Sequence, residues 1–258
     1  MIAGWGFTMN AMKKVAGAFC AVALSLGAMA ATAKAEDKIN YAITITGVSD
    51  YMFRGISFTE EDPAFQPYIE FTYNIFYLAF WGSNIDSGGV YGPWELDIYA
   101  GIRPVTGPIS WDLAIWYYQY GSQDDLTESD DLDYVELKAA ATVTPITNAS
   151  FTLTGYYTPD QDLASGETWT IDGLLSYTLP QVGIFVPTIS GQLGYTEATD
   201  WSFAGPYFLG EASSYTFWNV GVKLAVEKFF MDLRYWDTDL ENDLADERFL
   251  FSAGVNLP

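Results

Sequence analysis

The feature that most constrains this chain is an alternation of apolar and polar side chains, repeated in about a dozen segments. In the last segment, every second position is apolar: Phe249, Phe251, Ala253, Val255 and Leu257. The positions between them are polar or small: Arg248, Ser252, Gly254 and Asn256. Successive side chains of a strand point to opposite faces, so each segment predicts a strand with one apolar and one polar face.

The first segment has the parts of a secretory signal peptide. A basic pair, Lys13-Lys14, precedes an apolar run over residues 15–29, and Ala33-Lys34-Ala35 has the small-x-small pattern that signal peptidase needs. We therefore expect residues 1–35 to be removed and residues 36–258 to form one domain. The alternative is a retained membrane anchor, but the apolar run is short for a spanning helix.

The composition excludes several classes of function. The chain has no histidine, and its one cysteine, Cys20, lies in the expected signal peptide. Ser-His catalysis, disulfides and the commonest zinc and iron sites are therefore excluded from the mature chain. The 33 acidic residues outnumber the 11 basic ones, and phosphate binding needs basic patches. We expect no cofactor, no metal and no nucleic-acid partner.

The alternation predicts twelve strands. They start near Ile39, Phe65, Phe76, Trp94, Trp111, Tyr134, Phe151, Trp169, Ile189, Trp218, Phe229 and Arg248. The links between them alternate between short and long, as the periplasmic turns and external loops of outer-membrane barrels do. An even strand count then leaves both termini in the periplasm.

The predicted fold class is all-β, a single antiparallel up-and-down transmembrane β-barrel of about 12 strands in the outer membrane. Aromatic residues make up 17% of the chain, and Tyr and Trp are expected where a barrel meets lipid and lipopolysaccharide. A soluble β-sandwich is the alternative, in which the apolar faces would meet in pairs of sheets. Strands of roughly 9–11 residues fit a bilayer better.

Several stretches resemble the TorF family of outer-membrane barrels of Gram-negative bacteria. The strongest match is Val48-Ser49-Asp50-Tyr51-Met52-Phe53-Arg54-Gly55-Ile56-Ser57. Weaker matches follow in order: Asp62-Pro63-Ala64, Trp81-Gly82-Ser83-Asn84, Glu95-Leu96-Asp97-Ile98-Tyr99, Tyr134-Val135-Glu136-Leu137, Asp237-Thr238-Asp239 and Ala245-Asp246-Glu247-Arg248-Phe249. The resemblance implies a pore role but no defined substrate or active site. The chain ends Asn256-Leu257-Pro258, whereas such barrels commonly end on an aromatic residue.

The polar faces predict a set of pore-lining charges. The acidic members are Glu70, Glu95, Asp97, Asp112, Glu136, Asp172, Glu227 and Asp232. The basic members are Arg103, Lys138, Lys223, Arg234 and Arg248. Arg54, in the first long loop, either folds inward as a constriction or anchors the loop beside Asp50.

The first functional hypothesis is a porin-like channel for passive diffusion of small polar solutes, with a preference for cations. The alternative is a non-conducting structural or adhesion-type barrel, because facing charges can also pair and close a narrow lumen. Its acidic loops, Asp124–Asp133 and Asp237–Glu247, would then bind ions or partners, or simply be solvated. The sequence is compatible with both a monomer and a trimer.

Paired carboxylates also raise the hypothesis of an enzyme. Glu95 and Asp97 would lie roughly 7 Å apart on one strand face, within the range of glycosidase acids. Any alternating strand supplies that spacing, so we expect no enzymatic activity.

Overall fold

The computed structural model describes five stretches of the chain: residues 38–86, 92–121, 133–160, 166–199 and 213–258. The expected signal peptide and most of the first acidic loop lie outside these stretches. Among the described residues, no helix is long and apolar enough to span a membrane.

The alternating segments form strands because β-branched and aromatic side chains, which favour a pleated backbone, occupy alternate positions. In chain order the strands are β1 (Asn40–Val48), β2 (Met52–Phe53), β3 (Ile56–Ser57), β4 (Ala64–Tyr73), β5 (Phe76–Asn84), β6 (Trp94–Ile102), β7 (Val105–Thr106), β8 (Ile109–Tyr120), β9 (Tyr134–Ile146), β10 (Ala149–Thr158), β11 (Thr168–Thr178), β12 (Val186–Ala198), β13 (Ser214–Val226), β14 (Phe229–Thr238) and β15 (Arg248–Leu257). The three two-residue strands, β2, β3 and β7, belong to hairpins. The twelve long strands form the wall.

The wall closes on itself. Each long strand pairs antiparallel with its neighbours, and β15 pairs back onto β1 from Ile43↔Leu257 to Val48↔Ser252. Closure pairs the backbone groups inside the wall and leaves no exposed edge, which a bilayer core requires. The predicted twelve-strand antiparallel barrel is confirmed.

The two ends of the barrel differ. Short turns join the strands at the end that carries Asn40 and Leu257, and we call this the turn end. Long links join them at the other end, which we call the loop end. In two of the short turns, Asn74 and Asn148 adopt φ of +54° and +68°, a left-handed conformation that asparagine tolerates well.

The placement of Glu227 in a strand is wrong. β13 ends at Val226, and Glu227 lies in the turn before β14 with φ of +52°. The chain reverses at this residue, so the period of two stops and the exposed side chain lies at the turn end, outside the lumen wall.

The outward face of the wall is a belt of exposed apolar side chains. Large side chains such as Leu193 (61% exposed) and Phe249 (71% exposed) point away from the lumen. Such an extensive exposed apolar surface is not typical of a soluble monomer and is typical of a transmembrane barrel. Polar residues occupy the opposite face, so the candidate functional site is the lumen.

Candidate functional site

The first long link folds into the lumen. β2 and β3 form a small hairpin, with Met52 opposite Ser57 and Phe53 opposite Ile56. Tyr51, Ile56, Phe58 and Thr59 are all buried. We call residues 50–59 the lumen hairpin, because the surrounding strands enclose it at the loop end.

The base of the lumen hairpin is fixed by Asp50. Its Oδ1 accepts hydrogen bonds from the hydroxyls of Ser57 at 2.6 Å and Thr59 at 2.9 Å. Its Oδ2 accepts one from Nη1 of Arg248 at 3.2 Å, and the same nitrogen lies 3.3 Å from Oε1 of Glu61. Arg248 therefore lies at the loop end of the lumen and holds the base of the hairpin.

The tip of the lumen hairpin is a two-residue turn. Arg54 and Gly55 have φ of +49° and +88°, the two positive values of a type I′ turn. Asparagine or glycine is usual at the first position, and any residue with a larger side chain adopts it at a cost of about 1–2 kcal/mol. A Cβ on Gly55 would overlap the Cγ2 methyl of Thr238 and lie 3.1 Å from Cβ of Phe217, so the tip touches β13 and β14.

The side chain of Arg54 ends at a buried carboxylate. Its Nη2 donates to Oε1 and Oε2 of Glu136 at 2.7 and 2.8 Å. The same carboxylate accepts hydrogen bonds from the hydroxyls of Tyr118 at 3.1 Å and Thr158 at 3.2 Å. The Glu136 side chain is 1% exposed and that of Arg54 is 7% exposed. The ion pair is thus shielded from water.

Aromatic rings complete this site. The guanidinium carbon of Arg54 lies 4.5 Å from the ring centroid of Tyr156 and 4.7 Å from that of Phe53, which is cation–π distance. Tyr156 lies on β10, which is six strands from β1 in either direction around the ring of twelve. The side chain of Arg54 therefore reaches the wall opposite β1, the strand from which the hairpin leaves.

A second charge cluster lies nearer the turn end. Arg103 donates from Nη1 and Nη2 to the two oxygens of Glu70, each at 2.7 Å, and from Nε to Asp112 at 3.2 Å. The hydroxyls of Tyr68 and Tyr77 donate to Glu70 at 2.6 Å and to Asp112 at 2.7 Å. This cluster joins the inward faces of β4, β5 and β8 to Arg103, which directly follows β6.

A third cluster lies on the wall from β12 to β14. Arg234 donates to Asp232 at 3.0 and 3.1 Å, to Oδ1 of Asn219 at 2.6 Å and to Oγ of Ser190 at 2.9 Å. Lys223 lies opposite Asp232 in the register, and its Nζ is 4.2 Å from the ring centroid of Phe230.

Glu95 and Asp97 lie two residues apart on the inward face of β6, and both are buried. The hydroxyl of Tyr51 donates to Oε1 of Glu95 at 3.3 Å, and that of Tyr99 donates to Oδ2 of Asp97 at 2.6 Å. Within the described part of the chain, the second oxygen of each carboxylate accepts no hydrogen bond. These two oxygens are buried acceptors that the described residues leave without a hydrogen bond.

Lys138 is also buried on the inward face. Its Nζ lies 4.4 Å from the ring centroid of Trp116 and has no hydrogen-bond partner among the described residues. Glu136, two residues away on the same strand face, bonds Arg54 instead. Asp172 is buried on the inward face of β11.

The structure therefore places all the predicted pore-lining residues except Glu227 on the inward side of the barrel. Arg54 is inside the lumen as well. Whether these residues line a conducting path stays a prediction. In the described ranges, no group of three or more acidic side chains is placed to hold a metal ion, and residues 124–132 of the first acidic loop lie outside those ranges.

The inward aromatic residues were not predicted as part of the site. Trp116, Tyr118 and Tyr134 form a contact chain along β8 and β9, with centroid distances of 5.9 and 4.3 Å. Sequence reasoning assigned aromatic residues to the lipid boundary. The signal was nevertheless present, because Trp116 and Tyr118 share a face with Asp112 in the alternation of β8.

Comparison with known proteins supports the architecture. The model of the family Gcw_chp, described as "Bacterial protein of unknown function", matches residues 30–253. No protein with a curated description matches the chain significantly.

Solved structures match over most of the barrel. The KdgM porin in complex with disordered oligogalacturonate has a TM-score of 0.55 at 11% identity, over 84% of this chain and 98% of that one. The NanC porin has a TM-score of 0.52 at 8% identity, over 84% of this chain and 99% of that one. LpxR from Salmonella typhimurium has a TM-score of 0.50 at 8% identity, over 84% of this chain and 99% of that one. Identities this low establish a shared fold and say nothing about what each protein binds.

Proposed function

This chain belongs to the Gcw_chp family of bacterial proteins of unknown function, and we propose that it is an outer-membrane channel for passive diffusion of small polar solutes, with a preference for cations. The observation that carries the proposal is the closed barrel with an apolar outer belt and charged residues on its inward face. Cleavage of residues 1–35 and delivery to the outer membrane are part of the same proposal. The resemblance to the TorF family and to porin structures supports it.

We propose the lumen hairpin as the constriction. Near the turn end the inward charges remain accessible to water, since the side chain of Arg103 is 37% exposed and that of Arg234 is 19% exposed. At the hairpin, the side chain of Glu136 is 1% exposed. We therefore place the narrowest part of the proposed route where Arg54 meets Glu136.

The preference for cations follows from the charges left over after ion pairing. Arg54, Arg103, Arg234 and Arg248 are each paired with at least one carboxylate. Within the described stretches, the inward carboxylates without an ion pair are Glu95, Asp97 and Asp172, and the amines without one are Lys138 and Lys223. Carboxylates that form no ion pair and lie beside a narrow route attract cations and repel anions.

Neutralising Glu95 and Asp97 together is expected to lower the ratio of cation to anion permeability severalfold. The variant is Glu95→Gln with Asp97→Asn, and the measurement is the reversal potential in a potassium chloride gradient across a planar bilayer. Glu227→Gln is the matched control, because that carboxylate lies in a turn outside the lumen wall. An unchanged reversal potential in the double variant would contradict the assigned selectivity.

The second candidate function is a non-conducting barrel used for structure or attachment. It is favoured by the packing at the loop end, where Glu136 and Lys138 are fully enclosed. The same bilayer recordings separate the two candidates. Current steps that scale with salt concentration support the channel, whereas no current from protein that keeps a heat-modifiable gel mobility supports the non-conducting barrel.

A further inference from the structure

We infer that Arg54 is a tethered occupant of a cation-binding site on the wall from β8 to β10, and that a solute carrying a guanidinium group competes with it for this site. The inference rests on the proposed channel function and names the class of solute that the channel would select.

The site is built from rigid elements of the barrel wall. Its centre is the carboxylate of Glu136, oriented by the hydroxyls of Tyr118 and Thr158 and flanked by the ring of Tyr156. A buried carboxylate beside an aromatic face suits a guanidinium better than an ammonium, because the guanidinium is planar, weakly hydrated and able to stack. The wall thus offers a complete guanidinium site, which a residue of the hairpin fills.

The way in which Arg54 fills the site is suboptimal. Its Nη2 donates to both oxygens of Glu136. In the same lumen, Arg103 donates from two nitrogens to the two oxygens of Glu70, which is the stronger parallel arrangement. A free guanidinium is not attached to the hairpin and can rotate to make two such bonds.

The backbone of the tip points to a role for the Arg54 side chain. Asn-Gly is the preferred pair for a type I′ turn, and an arginine at the first position adopts φ of +49° at a steric cost. Such a residue persists where its side chain is needed, and the contact with Glu136 is what this side chain provides. β2 and β3 pair only with each other and form a sheet separate from the long strands, so the tip of the hairpin can leave the wall once that contact is replaced.

The test is a binding measurement on the folded, detergent-solubilised protein, with L-argininamide as the probe. L-lysinamide is the charge-matched control and L-citrullinamide is the shape-matched control. The key variant is Arg54→Asn, which removes the guanidinium and installs the preferred turn sequence, so the hairpin keeps its fold. Calorimetry is expected to show about tenfold tighter argininamide binding to Arg54→Asn than to the wild type, because an internal competitor has been removed.

Adding Glu136→Gln to Arg54→Asn is expected to abolish the binding. Equal affinity of the wild type and Arg54→Asn for argininamide, or equal binding of citrullinamide, would overturn the inference. If either variant loses the heat-modifiable mobility of a folded barrel, Arg54→Gln and Glu136→Asp replace them, with the same expected order of affinities.

Bilayer recordings separate this inference from the channel proposal. We expect argininamide to raise the open fraction of the wild type and to cause brief blockades in Arg54→Asn, where it enters an empty site. Channels that conduct but respond equally to argininamide and citrullinamide would overturn the inference and leave the channel proposal standing. If no variant conducts, the channel proposal fails, and calorimetry alone decides the site.

Discussion

Replacing Gly55 with alanine is expected to drive the lumen hairpin off the wall and raise the single-channel conductance severalfold. The new Cβ would overlap the Cγ2 methyl of Thr238 and crowd Cβ of Phe217. Both neighbours belong to long strands of a closed barrel, whereas the hairpin forms a separate two-stranded sheet that does not pair with those strands. At φ of +88° the alanine backbone is strained as well. The hairpin is therefore the part that moves.

A second readout needs no conduction. The side chain of Arg54 is 7% exposed in the wild type, so trypsin added outside the cell should leave the bond after it intact. We expect Gly55→Ala to make that bond cleavable. Gly47→Ala is the matched control, because a Cβ at Gly47 meets nothing within 4 Å.

The cause of the displacement can be tested by rescue. Thr238→Ser removes the Cγ2 methyl and keeps the hydroxyl, which donates to the carbonyl of Ala245 and accepts from the backbone N–H of Leu240. Adding it to Gly55→Ala is expected to restore part of the wild-type conductance and trypsin resistance. Wild-type conductance and protection in Gly55→Ala alone would show that the hairpin does not obstruct the lumen.

The wall of this barrel was predictable from local pattern. A period of two predicts which side of a strand is apolar wherever the two faces differ, and β15 shows this directly, with Phe249 and Phe251 outward and Arg248 inward. The pattern fails where the backbone leaves the strand geometry, as at Glu227, because a turn residue has no inward or outward face. The lengths of the links also distinguish the turn end from the loop end, because antiparallel strands place alternate links at opposite ends of the wall.

The partners inside the lumen were much less predictable. Asp232 and Arg234 are two residues apart on one strand face, and they do pair. Glu136 and Lys138 have the same spacing, yet Glu136 binds Arg54, which is 82 residues away. The path of a loop across a lumen depends on the enclosing strands, and the alternation contains no information about it.

Placing an arginine on the outer belt is expected to cost about 2–4 kcal/mol of folding free energy, the penalty for a basic side chain near the bilayer midplane. The test position is Leu193, which is 61% exposed on the outward face and pairs with Gly173 midway along β11. The measurement is the urea midpoint for reversible unfolding in lipid vesicles, compared between the wild type and Leu193→Arg.

The control makes the same chemical change on the other side of the wall. Leu174 pairs with Gln192, the neighbour of Leu193 in β12, so it lies at the same height but faces the lumen beside Asp172. Leu174→Arg places its charge in water near a carboxylate and should cost much less than Leu193→Arg. Equal losses of stability in the two variants would mean that lipid does not surround the apolar belt, and the assignment of inside and outside would fail with it.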